Sequence, residues 1–213
     1  MKGSSLPTEP PEPLDGGPTR RGRPRSADAE QAILQAALDL LSEGTDLGAI
    51  SINAIAARAG AGKNTVYRRW PNKDALLVDA LASLNQPIPE VTGKTVRENL
   101  IRVLSVTVTR LQDTRATQII NGVMAAGMKY PQLRQRYYAD VIEPRREVLR
   151  QVLRSGIANG ELRPDIDPDI IGSMLTGSLI LRSIEGTVPQ GLPEEIATGL
   201  ADTILHGISR KPD

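Results

Sequence analysis

Residues 50–73, ISINAIAARAGAGKNTVYRRWPNK, constrain this chain more than any other stretch. Ser51 can cap a short helix, Ile52, Ile55, Ala56 and Ala59 give it one apolar stripe, and Gly60 ends it. After Ala61 and Gly62 a second short helix is expected from Lys63 to Trp70, stopped by Pro71. Two short helices around a tight glycine-containing turn make a helix-turn-helix, and the small Ala56, Ala57, Ala59 and Gly60 let them pack closely. In that arrangement the first helix crosses a DNA backbone and props the second, whose N-terminal residues enter the major groove. Lys63, Asn64 and Thr65 place three donors at the start of the second helix, and Arg68 shares the face of Thr65. Tyr67 can pack its ring and offer its hydroxyl to a phosphate. The bland alternative is a merely solvated face.

The charge distribution points the same way. The net charge is +1, but residues 1–19 carry −2, residues 20–73 carry +4 and residues 74–213 carry −1. Within the basic third, Arg20, Arg21, Arg23 and Arg25 form one cluster; Arg58, Lys63, Arg68, Arg69 and Lys73 form another with no acid among them. Such asymmetry suggests a polyanion partner, against the alternative of a basic face in water. Other chemistry lacks its raw material. There is no cysteine, and His206 is the one histidine, so thiol, zinc-cysteine and His-cluster chemistry are excluded and no metal or cofactor is expected. An enzyme would need a carboxylate or lysine site, and no convergent set stands out. Asp165, Asp167 and Asp169 alternate as turn and cap residues do, without the ligand count that calcium needs. No apolar run reaches the roughly 18 residues of a membrane helix. The first residues carry Glu9 to Pro13 rather than a basic-then-apolar signal, so a cytoplasmic, nucleoid-associated protein is expected.

The rest of the chain reads as helix. Residues 1–25, rich in Pro, Gly, Ser and Thr, are expected to form a disordered tail with a basic arm at 20–25. A helix over 26–42 has Ser26 or Asp28 as cap and Gly44 as stop. Asn72 can cap a fourth helix carrying Leu76, Leu77, Ala80, Leu81 and Leu84. Residues 85–93 read as a linker. Beyond it lie a helix marked by Val96, Leu100, Val103, Leu104 and Leu111, another over 116–129, and a long pattern over 131–158. Pro144 should kink or break that pattern. Two final helices are expected at 168–184 and 193–208. The fold class is therefore all-α: a three-helix helix-turn-helix unit with its connecting helix at 26–84, and a larger helical unit at 94–209. The stretch 103–109 is β-branched enough to tempt a strand.

These residues carry a resemblance. Ile55-Ala56, Ala59-Gly60, Lys63, Thr65, Val66-Tyr67-Arg68, Trp70 and Lys73, followed by Ala75-Leu76-Leu77, resemble the tetracycline-repressor (TetR) family of bacterial transcription regulators over roughly residues 30–80. The resemblance implies a homodimer on a palindromic operator in double-stranded DNA, and a C-terminal domain that binds a small-molecule effector. It implies that Ser51, Tyr67 and Lys73 hold phosphates, that Lys63, Asn64, Thr65 and Arg68 face the groove, and that Arg69 stands where the family often has a backbone-contacting histidine. It also implies dimerisation through the last two helices, where Gly172, Ser173, Gly177 and Ser178 would permit close packing. Gly62 departs from the family's usual hydroxyl cap, and Trp70 replaces its usual phenylalanine.

Two weaker signals remain. Arg21-Gly22-Arg23-Pro24-Arg25 resembles an AT-hook core, whose extended arginines suit a narrow minor groove; a generic phosphate-binding tail is the alternative. Val103, Met124, Met128, Tyr137, Tyr138 and Leu175 are candidates to line an effector pocket, each equally able to be core or rim. Glu143, Arg145 and Arg146 read as exposed charges. The functional expectation is a ligand-responsive repressor. The alternative is an architectural DNA-binding protein with little sequence preference and no ligand.

Overall fold

The computed structural model describes residues 24–44 and 46–208, and its regular elements are all helices. They run α1 (Pro24–Ser42), α2 (Ile52–Arg58), α3 (Lys63–Tyr67), α4 (Lys73–Ser83), α5 (Val96–Gln112), α6 (Thr114–Ala126), α7 (Pro131–Tyr137), α8 (Glu143–Ala158), α9 (Pro168–Ile184) and α10 (Pro193–Ile208), with a π-helical turn at Tyr138–Ile142.

Local chemistry sets most of these boundaries. Ser51, Asn72, Thr95, Asp113 and Asp167 each accept a hydrogen bond from a backbone N–H in the first turn of the helix they precede. Gly60 takes φ 61°, a left-handed conformation that closes α2 and redirects the chain into α3. Several expectations are corrected. Helix α3 ends at Tyr67, three residues before Trp70. Trp70 is buried instead as the exit of the motif, and its Nε1 donates to Asp79 Oδ2 on α4 at 2.7 Å. Helix α6 covers 114–126 rather than 116–129. The long 131–158 pattern is divided by the π-helical turn, which ends just before Pro144 at the start of α8. The β-branched stretch of α5 stays helical; its hydroxyls fold back on the helix, Thr107 Oγ1 donating to the Val103 carbonyl and Thr109 Oγ1 to that of Ser105. Helix α1 begins at Pro24, so Arg25 belongs to its first turn rather than to an arm. The remaining tail residues, Arg21 and Arg23 included, lie outside the described residues.

Two main cores result. In the first, Ile33, Ala37, Ile55, Val66, Leu76 and Leu81 of the N-terminal helices bury against one another. Ile119, Ile120 and Val123 of α6, Leu133 and Tyr137 of α7, and Val141 of the π-helical turn join the same cluster. The second gathers Leu100 and Leu104 of α5, Val152 and Leu153 of α8, Leu175 of α9, and Ala197 and Ala201 of α10. Helices α6 and α7 thus belong by packing to the helix-turn-helix side, although they follow the linker in sequence.

Candidate nucleic-acid interface and cavity

The helix-turn-helix is held from behind. Val66 is fully buried and Trp70 is 3% exposed, so α3 has one face fixed in the core. The opposite face carries Lys63, Asn64, Tyr67 and Arg68, all exposed, with Thr65 half-buried between them. Lys63 Nζ lies 5.7 Å from the centre of the Tyr67 ring, which orients both side chains on one surface. Gly62 stands in the cap position of α3 with no side-chain hydrogen bond, so the first N–H groups of this helix are left without a capping side chain.

The second basic cluster divides into bracing and outward residues. Arg58 pairs with Glu43. Arg69 Nε pairs with Glu30 Oε2 on α1 at 3.2 Å, its side chain only 17% exposed. The guanidinium is turned inward and ties the end of the motif to α1. Lys73 Nζ donates to the Leu47 carbonyl at 2.7 Å and pins the loop before α2. The ammonium has two further donors beyond this brace. Ser51 accepts from the Ala54 N–H at 3.1 Å, and its own hydroxyl proton stays available. Lys63 and Arg68 remain as the exposed cations of the cluster with no ion pair among the described residues.

Polar contacts tie α6, α7 and α8 to this unit. Arg115 Nη2 meets Asp39 Oδ1 on α1 at 2.5 Å. Lys129 Nζ and the Tyr130 hydroxyl reach Asp46 at 3.3 and 3.1 Å. The Gly48 N–H, then Lys129 and Tyr130, hold the Asp46 carboxyl below its usual range. Arg136 Nη1 meets the capping Asn72 Oδ1 at 3.4 Å. At the exit of α4, Arg145 Nη2 donates to the Gln86 carbonyl at 2.8 Å.

A cavity of about 280 Å³ opens between the two cores. Val103, Met124, Tyr137 and Tyr138 line it, as four of the pocket candidates. Two candidates are corrected. Met128 is 90% exposed in the turn after α6, and Leu175 is fully buried in the second core and does not line the cavity. The linker residues Asn85, Gln86, Ile88 and Pro89 form one wall rather than a passive spacer. Their far end is fixed by Asn99, whose side chain accepts from the Gly93 N–H at 2.8 Å and donates to its carbonyl at 3.1 Å. Arg110 and Arg145 also line the cavity, and the reading of Arg145 as an exposed charge is corrected. Helical spacing shows that Arg110 shares a face with Val103 and Val106, but only the fold shows that this face borders a cavity.

Residues 33–80 match the family model described as bacterial regulatory proteins, tetR family. Residues 90–204 match the tetracyclin repressor-like, C-terminal domain. The chain is 33% identical over 131 residues to YdeS, an HTH-type transcriptional regulator of Bacillus subtilis, the match spanning 60% of this chain and 64% of that one. It is 29% identical over 186 residues to the HTH-type regulator Mb1581 of Mycobacterium bovis, spanning 85% of this chain and 88% of that one. Among solved structures, a regulator of Mesorhizobium loti has the same fold, with a TM-score of 0.67 at 22% identity over 87% of this chain and 99% of that chain.

Proposed function

The chain belongs to the TetR family of bacterial regulatory proteins, and from that premise we propose that it represses transcription as a homodimer whose paired α3 helices read a palindromic operator. Regulators of this family are ligand-responsive repressors that bind DNA as dimers; they are transcription factors, not enzymes. The observation that carries the reading is the outward face of α3, where Lys63, Asn64, Tyr67 and Arg68 stand exposed over a buried Val66. Lys63, Asn64, Thr65 and Arg68 face base edges. Tyr67 and Ser51 hold phosphates, and Lys73 adds a phosphate contact from its bracing position. The DNA-reading unit spans residues 26–84 and the effector and dimer unit 94–209, with α6 and α7 as the part of the second that packs on the first.

The dimer forms through α9 and α10. Ile170, Met174, Gly177, Leu181 and Ile184 repeat at spacings of four and three along α9, and the four large residues are 53–66% exposed. A stripe of that period is the seam of a helix pair. A Cβ at Gly177 would meet nothing within 4 Å, so the seam is open there to a partner helix. Two recognition helices must sit about 34–36 Å apart to occupy successive turns of one DNA face. An effector in the cavity favours a different separation and lowers operator affinity by its differential affinity for the two states. The basic arm extends the grip. Arg23 directly precedes α1, so Arg21 and Arg23 are tethered to the reading unit without a spacer and enter an adjacent A·T-rich minor groove.

The test is a gel-shift titration of the full chain on DNA from upstream of its own gene and on random DNA of equal length. A specific reader prefers the upstream DNA by a factor of about a thousand or more. Equal affinity would favour an architectural protein and contradict the proposal. In the same assay, replacing Arg21 and Arg23 by alanine weakens A·T-flanked sites more than G·C-flanked ones; equal loss reduces the arm to plain charge.

A further inference from the structure

The cavity contains cations that the fold leaves without carboxylates. Arg150, at its edge, is claimed by Glu143, Glu147 and Asp169. Arg146 lies over Tyr138, its guanidinium carbon 5.8 Å from the ring centre. Arg110 and Arg145 form no ion pair among the described residues. Arg145 donates instead to two backbone carbonyls, those of Val141 and Gln86, each at 2.8 Å. Burial pushes both guanidiniums below their usual range, with the Tyr137 hydroxyl opposing that shift. Tyr137 is itself 1% exposed and its hydroxyl shares a hydrogen bond with Asn85. Around these groups the wall is apolar: Val103, Val106, Ile120, Met124, Ile142 and Ile180. A partly desolvated guanidinium without a counter-charge is costly, and the group that offsets the cost is a carboxylate in bidentate reach.

We propose that the effector is an organic carboxylate with an apolar body, its head held by Arg110 and Arg145 and its tail among Val103, Ile120 and Met124. The inference rests on reading the cavity as the effector site. The cavity of about 280 Å³ has room for the apolar body of a medium-length or single-ring acid. The same contact supplies the switch. Arg145 holds the Gln86 carbonyl just beyond the end of α4, and Asn85 beside it meets Tyr137. A carboxylate that draws Arg145 toward itself competes with the Gln86 carbonyl and loosens the exit of α4, the helix that joins both units.

The test uses octanoate, octan-1-ol and octylamine, titrated by calorimetry into the DNA-free full-length protein. Octanoate should bind about tenfold or more tightly than octan-1-ol, with octylamine weakest. Arg145→Gln should abolish that preference. Arg110→Met should abolish it too and raise Tm by about 2–4 °C, because a half-buried charge without a counter-ion is removed. A structural arginine would lower Tm instead, and that result would count against the assignment. Undetectable binding of octanoate at millimolar concentration, equal affinity for the acid and the alcohol, or an undiminished preference in both variants would overturn the carboxylate. Operator affinity without any ligand is measured alongside by gel shift. Its loss would sink the repressor reading, whereas the calorimetric failures would leave that reading standing.

Discussion

Lys63 and Arg68 differ from the other cations of their stretch in what surrounds them. Arg58, Arg69 and Lys73 each help hold the motif together, through Glu43, Glu30 and the Leu47 carbonyl. The partners of Arg69 and Lys73 lie 39 and 26 residues away in sequence, so charge clustering could reveal the patch but not its division of labour. Gly60 shows the opposite case, a residue whose role was legible in the sequence. Its turn requires φ 61°, and a Cβ there would meet nothing within 4 Å. Gly60→Ala should therefore cost about 1–2 kcal/mol from backbone strain alone. Urea unfolding would check this, and an unchanged midpoint would remove the left-handed turn from the account.

Among the elements, the helices with strong caps and clean apolar periods were readable, and those shaped by distant contacts were not. Asn72 and Asp167 mark the starts of α4 and α9. Helix α3 ends early because Trp70 leaves the helix to bury its ring and bond Asp79, a choice made by tertiary packing. The pocket was half legible for the same reason. Met124 and Tyr137 were found by residue type, while Arg110 and Arg145 needed the approach of α5 to α8. That approach is close. A Cβ on Gly156 of α8 would collide with Val96 Cγ2 of α5, and would lie 2.9 Å from Leu162 Cδ1. Gly156→Val should thus destabilise by about 1–3 kcal/mol. A thermal melt no lower than the parent's would contradict this packing.

At the scale of the whole molecule, the two cores meet at the cavity, and the polar ties from α6 and α7 fix the reading unit to one of them. On the proposed reading, an effector between the cores acts where that grip is set. On that reading, too, operator binding depends on the seam along α9, because one protomer presents only one α3. Met174 and Leu181 are 53% and 55% exposed. Placing like charges there, Met174→Glu with Leu181→Glu, should give a folded monomer by analytical ultracentrifugation with operator affinity reduced at least about a hundredfold. A dimer of parental strength would move the interface elsewhere.

The claim beneath these is that the outward face of α3 touches base edges. Operator selection from a random DNA pool, run with the parent and with Lys63→Ala, addresses it directly. The account predicts that the variant loses preference at one symmetry-related pair of base positions, at a cost of about 1–3 kcal/mol, and keeps the rest of the palindrome. An identical selected sequence bound with undiminished affinity would contradict it.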